Sequence, residues 1–229
     1  MARVEFVRKS CAILWLGNNQ NRFRTDYIEN LMTCLDEVEK SNAKALVTSG
    51  TGKFFSNGLD LEWVGQQRHS DAMHFFRSFQ LLLARVLSFP MVTVAALNGH
   101  AAAGGAMFAL AHDYRVMQRD RGWMFLNEVD LGILFTEGML SLIRAKVPTP
   151  SVFRDLVIYG NRFSGSSAVN VNLVDLVCDV GSSLDAALDL AEEKVNGKDI
   201  PKENLGAMKR HVHQIEIEKL KKGAMASKL

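Results

Sequence analysis

Short apolar runs alternate with longer stretches of helical periodicity through the first ~145 residues, the pattern of an α/β architecture. The runs predict strands at 5–8, 12–16, 45–48, 92–96, 114–117 and 123–126. The helical stretches fall at 26–39, 71–87, 104–112 and 136–145. In the first of them Ile28, Leu31, Met32, Leu35 and Val38 recur on one face, the spacing of a helix that buries a stripe. The sequence Val147-Pro148-Thr149-Pro150 interrupts this alternation, because each proline disfavours helix in the residue before it. Beyond it the pattern is helical at 151–159, 164–171, 183–196 and 203–225, with Ser183 as a cap of the third helix and Gly197 as its end. The expected organisation is an α/β core over 1–147 followed by a helical region over 148–229.

Composition narrows the functions available. Hydrophobic residues make up 48% and charged residues 23% of 229, an ordinary globular mixture with enough chain for a sizeable core. A formal charge of +2 is too small for a polyanion-binding surface, so nucleic acid is not an expected partner. Local cations can still meet a small phosphorylated ligand, and Arg22, Arg24 and Lys53 are candidates. Cys11, Cys34 and Cys178 are widely spaced and form no CxxC pair, which fits a reducing compartment without a disulfide framework or a Cys-based zinc site. His211 and His213 point to different sides of a helix, and no metal site is expected. The N-terminal MARVEFVRKS lacks the apolar core of a signal peptide, and no run is long enough to span a membrane. Ser227-Lys228-Leu229 reads as an address for a peroxisomal import receptor, placing the protein in peroxisomes or a related microbody such as a glycosome.

Two familiar motifs are absent. Ser49-Gly50-Thr51-Gly52-Lys53 lacks both the leading glycine and the trailing hydroxyl residue of a phosphate-binding P-loop, since Val47 and Phe54 stand there. No GxSxG nucleophile elbow occurs. Two glycine-bearing turns remain. Phe54-Phe55-Ser56-Asn57-Gly58-Leu59-Asp60-Leu61 follows the strand at 45–48, with Asp60 placed to cap a helix. Asn98-Gly99-His100-Ala101-Ala102-Ala103-Gly104-Gly105-Ala106 follows the strand at 92–96 and opens an apolar helix whose free N–H groups can face a developing negative charge. In Trp123-Met124-Phe125-Leu126-Asn127-Glu128-Val129-Asp130-Leu131-Gly132 a carboxylate stands inside an apolar run. Desolvation by Trp123, Met124, Phe125 and Met107 would make Glu128 a stronger base; the plain alternative is a strand-end glutamate paired with an arginine such as Arg121.

The order and spacing of FFSNGLDL at 54–61, MVTVAALNGHAAAGGAMFALAHDYRVM at 91–117 and FLNEVDLGI at 125–133 resemble the crotonase superfamily, also called the enoyl-CoA hydratase/isomerase family. The resemblance implies a spiral of repeated ββα units, an acyl-CoA thioester substrate with no separate cofactor, and a C-terminal helical region that builds a homotrimer or hexamer. It implies an oxyanion hole made by the backbone N–H groups of Leu59 and Gly104. Ser56, Asn57, Gly58, Leu59 and Asp60 would line the path of adenine and pantetheine, and Gly104 and Asn127 would also bind the substrate, beside the acid/base Glu128.

One departure bears on the chemistry. Family hydratases use two glutamates, and the position of the first is Met107 here. Moving a double bond needs only one carboxylic acid, which takes a proton at one carbon and returns it at another. The wording LNEVDLG and FSNGLDL is similar to that of Δ3,Δ2-enoyl-CoA isomerases, which makes that activity the leading expectation. The alternatives are a dienoyl-CoA isomerase that recruits Glu137, weak hydration, and a non-catalytic acyl-CoA-binding protein of this fold.

Overall fold

In the computed structural model residues 1–8, 10–17 and 19–223 are described, so Ser227-Lys228-Leu229 lies outside the described residues. The chain opens with β1 (Arg3–Val7), β2 (Cys11–Trp15) and α1 (Thr25–Lys40). Three ββα units follow. The first is β3 (Ala45–Ser49), β4 (Phe54–Ser56), α2 (Leu61–Gly65) and α3 (His69–Leu87). The second is β5 (Val92–Leu97), β6 (His100–Ala102) and α4 (Gly104–Ala111), and the third β7 (Tyr114–Gln118), β8 (Met124–Phe125) and α5 (Glu137–Lys146). Each unit gives its first strand to a six-stranded sheet of order β1-β2-β3-β5-β7-β9, where β9 is Leu176–Cys178 from the second half, and its second to a three-stranded sheet of order β4-β6-β8. All pairs are parallel except β1 with β2. This winding is the spiral that the resemblance implies.

The second half comprises α6 (Pro150–Phe153), a π turn (Arg154–Ile158), α7 (Gly165–Asn170), β9 (Leu176–Cys178), α8 (Ser183–Val195), α9 (Lys202–Val212) and α10 (Gln214–Lys222). The helical reading beyond 148 therefore omits one strand. β9 pairs with β7 and completes the large sheet, so the expected boundary does not interrupt that sheet. Three residues are too few to display a strand period, which also explains why β4 and β6 read only as turns. The expected helix at 203–225 breaks at His213, which ends α9 and precedes α10. Ser183 is not a side-chain cap: its hydroxyl accepts from the Gln118 amide at 3.2 Å.

The main core lies between the sheets and α1, α3 and α4, and a smaller one lies between the opposite face of the large sheet and α8. The central strands β3 and β5 are covered on both faces and consequently read as continuous apolar runs. His112 ties the end of α4 to β3. Burial pushes its pKa down to about 4, so the neutral ring donates to the Phe108 carbonyl at 2.9 Å and accepts from Thr48 Oγ1 at 2.8 Å.

The C-terminal helices are fastened to this core. α10 packs against α3 and α5, and Leu220 lies so close to Gly138 that a Cβ there would meet its Cα at 2.8 Å. On α9 the buried Lys209 ammonium donates to the Met91 carbonyl at 2.7 Å and to Asp113 Oδ2 at 2.6 Å. Asp113 Oδ2 also accepts from the Thr93 N–H. An Asp113→Ala substitution leaves the ammonium with one neutral acceptor and is expected to cost about 3 kcal/mol, because a buried ion loses its partner but keeps its desolvation penalty. Urea unfolding measures this, and a loss within the range of an exposed salt bridge would mean that the pair is not a fastening.

Candidate active site

The site begins where β4 and β6 deliver their turns side by side. After β4, Ser56 Oγ donates to the Asn21 carbonyl at 2.7 Å and accepts from the Gly58 N–H at 3.2 Å, bending the chain back. Gly58 has φ +78°, a conformation favouring glycine, and a Cβ there would stand 2.9 Å from the Ala102 carbonyl oxygen and 3.0 Å from the Gly104 nitrogen. The Gly58 carbonyl and the Asp60 N–H form the bridge to Phe23, which leaves the Leu59 N–H between them outside that ladder. Asp60 then caps α2 through the Trp63 N–H at 3.3 Å.

The second turn reaches the same place from β6. Ala103 adopts φ +48° and ψ −119°, an uncommon conformation for a residue with a Cβ, and presents Gly104 as the first residue of α4. An N–H in this position has no partner within its own helix. Gly105 allows the approach: a Cβ at that residue would meet the Ser56 carbonyl oxygen at 2.3 Å. Gly104 in turn packs against Leu59, whose side chain would lie 3.1 Å from a Cβ at Gly104. Two unpaired N–H groups, of Leu59 and Gly104, are thus brought together.

Both residues line a cavity of about 350 Å³ that also contains Asn57, Asn127 and Glu128. Ser56, Gly58 and Asp60 do not line it; the first two shape the turn and the third caps the helix. Arg22 lines its rim, whereas Arg24 and Lys53 do not. Among the residues that sequence reading did not single out, Phe76 and Met139 form buried wall, and Glu62, Leu131, Leu134 and Arg162 stand at the mouth. These come from α2, α3, α5 and two loops, and no local motif signals their convergence.

Glu128 lies in a turn beyond β8, its carbonyl accepting from the N–H groups of Leu131 and Ile133 at 3.1 and 2.9 Å. The residue is 7% exposed, and one carboxylate oxygen, Oε2, is buried without a hydrogen-bond partner. Burial raises its pKa to about 7, opposed by a hydrogen bond from its own backbone N–H. Phe125 and the fully enclosed Met107 share the cavity with it, but Trp123 is half exposed and neither it nor Met124 lines that cavity. β8 spans only Met124–Phe125, and successive strand residues face opposite ways, so Phe125 lines the cavity while Met124 joins the core. The pairing with Arg121 is not formed: that guanidinium donates to the Gly52 carbonyl at 3.3 Å. Glu137, one residue from Thr136, points away, 74% exposed and 3.1 Å from the Lys219 ammonium. Among the described residues no cluster of His, Cys, Asp and Glu side chains could hold a metal ion, and no helix is long and apolar enough to cross a membrane.

Such an arrangement can remove a weakly acidic proton next to a carbonyl and stabilise the oxygen that becomes negative. It also has a thermodynamic signature. The folded pKa near 7 exceeds the ordinary 4.5, so the stability that the protonated carboxyl contributes is fully present below pH 4.5 and is lost as pH rises through 7. Glu128→Gln removes the ionisation, and the variant is expected to gain about 2–3 kcal/mol on the native protein between pH 5 and pH 8. Urea unfolding at the two pH values reads the difference; an offset independent of pH would mean that the carboxyl is not held dry.

Comparison with known proteins agrees with the architecture. A family model described as enoyl-CoA hydratase/isomerase matches residues 11–228. Enoyl-CoA delta isomerase 3 of Arabidopsis thaliana is 39% identical over 193 residues, which span 80% of this chain and 81% of that protein. The peroxisomal enoyl-CoA delta isomerase 2 of the same plant is 37% identical over 166 residues, 69% of each chain. Among solved structures, human mitochondrial delta3-delta2-enoyl-CoA isomerase superposes with a TM-score of 0.85 at 22% identity, covering 96% of this chain and 85% of that one, a likeness of fold. Matched along nearly its whole length and wound as the same spiral, the chain belongs to the enoyl-CoA hydratase/isomerase family, the crotonase superfamily.

Proposed function

We propose that the protein is a Δ3,Δ2-enoyl-CoA isomerase, converting a 3-enoyl-CoA into the conjugated 2-trans-enoyl-CoA during β-oxidation of unsaturated fatty acids. The observation that carries this reading is a buried carboxylate, Glu128, sharing a cavity with the Leu59 and Gly104 N–H groups, and the family resemblance puts Met107 where a hydratase has its other glutamate. The substrate's thioester oxygen takes hydrogen bonds from Leu59 and Gly104. The Glu128 carboxylate takes a proton from C2; the C–H electron pair becomes a dienolate spread to the thioester oxygen. The new Glu128 carboxylic acid then returns that proton to C4, the double bond settles between C2 and C3, and the carboxylate is regenerated. No cofactor is needed beyond the CoA that the substrate carries.

Each part answers a physical need. A proton at C2 is weakly acidic, and a carboxylate without a hydration shell is a better base for it. A single oxyanion-hole donor is typically worth ~3–4 kcal/mol at the transition state, so the two turns together matter as much as the base. Hydration additionally needs a second polar group to hold a water, and Met107 offers none. Against a dienoyl-CoA isomerase stands the outward pairing of Glu137 with Lys219. In this reading Asn57 and Asn127 border the CoA arm inside the cavity, while Ser56, Gly58 and Asp60 shape its wall from behind. Peroxisomal relatives and the Ser227-Lys228-Leu229 address together support delivery to a peroxisome or related microbody by its import receptor. The proposed assembly is a homotrimer or a hexamer built from two of them.

Ultraviolet absorbance of a 3-enoyl-CoA should rise as the conjugated thioester forms, while a 2-enoyl-CoA should keep its absorbance. Glu128→Gln should lower turnover about a thousandfold and preserve binding of a saturated acyl-CoA. Loss of absorbance from the 2-enoyl-CoA would instead identify a hydratase. Silence with both substrates, binding intact, would identify a non-catalytic acyl-CoA protein.

A further inference from the structure

The cavity is bounded at its inner end by buried side chains and opens to solvent at the other.

The inner wall has little freedom to retreat. Phe76, Met107 and Met139 are each buried, and the helices behind them are locked. Thr136 Oγ1 donates to Gln80 Oε1 at 2.8 Å, and the Gln80 amide donates to the Phe76 carbonyl at 3.2 Å. A Cβ at Gly138 would meet that same Gln80 oxygen at 2.9 Å and the Leu220 backbone at 2.8 Å. Widening this end would require α3, α5 and α10 to move together.

The mouth carries both charged and apolar side chains. Arg22, Glu62 and Arg162 are among its lining, and the Arg162 guanidinium lies 4.9 Å from the Phe125 ring centre. Leu61, Leu131 and Leu134 also line it although they are 37%, 48% and 45% exposed. Apolar side chains held half in water beside a cavity gain by being covered, and an acyl chain leaving the cavity can cover them.

Resting on the isomerase reading of the same site, we propose that Leu61, Leu131 and Leu134 are the specificity-determining rim that receives the distal part of a long acyl chain. The distal methylenes run outward over the loop after Glu128 instead of inward past Phe76. The rim thus confers a preference for long acyl-CoA esters, and the buried wall limits only the segment next to the thioester.

Binding of saturated butanoyl-, decanoyl- and hexadecanoyl-CoA, none of which can be isomerised, tests this by calorimetry. Each methylene covered by the rim should tighten binding about fourfold. The paired variant Leu131→Asn/Leu134→Asn, in exposed positions that tolerate polarity, should cut the hexadecanoyl-to-butanoyl affinity ratio at least about tenfold. Phe76→Ala should leave that ratio within about twofold, since the distal chain does not reach it. A ratio preserved in the rim variant, or raised by Phe76→Ala, would overturn the proposal in favour of an inward path. Equal affinity for all three esters in the native protein would overturn it too. Binding with the predicted length dependence but no turnover of 3-enoyl-CoA would sustain the rim and sink the isomerase reading alone.

Discussion

Everything in the site depends on two backbone turns packing closer than side chains permit. Gly105 meets the Ser56 carbonyl and Gly58 meets the start of α4 at distances where any Cβ would collide with main chain. Because β4 and β6 are neighbours in the small sheet, this contact fixes the Leu59 and Gly104 N–H groups relative to each other. Ala103 is held at φ +48° to complete the approach, a strain of order 1–3 kcal/mol that the surrounding sheet and helix sustain. In the proposed mechanism these two donors are in place before any ligand arrives, and charge on an oxygen between them would require no reorganisation.

The proposed base, Glu128, depends on a second constraint, dryness. Glu128 is set in a turn whose backbone is closed by hydrogen bonds to Leu131 and Ile133, so its position is fixed without a salt bridge to its carboxylate. A guanidinium partner would have lowered the pKa and spent the base on structure. Instead Arg121 donates to the Gly52 carbonyl and Lys219 pairs with Glu137, and neither cation lines the cavity. The C-terminal helices contribute to the same end from behind. Through Leu220 against Gly138 and Lys209 against Met91 and Asp113 they hold α5 and the starts of β5 and β7 in place, and the wall residue Met139 stays buried.

Much of this was legible in the sequence because glycine and carboxylate leave strong signatures there. The long strands and α1, α3, α4 and α5 follow from apolar periodicity, and the glycine turns mark where backbone must approach backbone. The family resemblance, rather than periodicity, supplied the spiral and the pairing of Leu59 with Gly104. What stayed hidden has a common cause. β4, β6 and β9 are three residues each, below the length at which alternation can be seen. Trp123 and Met124 do not surround Glu128, because closeness in sequence does not give direction: Met124 faces the core, opposite to Phe125, and Trp123 stands before the strand, partly in solvent. Phe76, Leu131, Leu134 and Arg162 reach the cavity from separated elements, and only the assembled fold brings them there. The break at His213 likewise has neither proline nor glycine to announce it.

The central claim is that a single desolvated carboxylate performs the chemistry. Its most direct test is the pH dependence of kcat/KM for a 3-enoyl-CoA in the native protein. Because Glu128 must be ionised in the free enzyme to accept the first proton, the profile should rise with pH through an apparent pKa near 7 and level off above it. A profile already flat down to the ordinary carboxylate range near 4.5 would contradict the account, since the base would then be a solvated group and the dry cavity irrelevant to its strength.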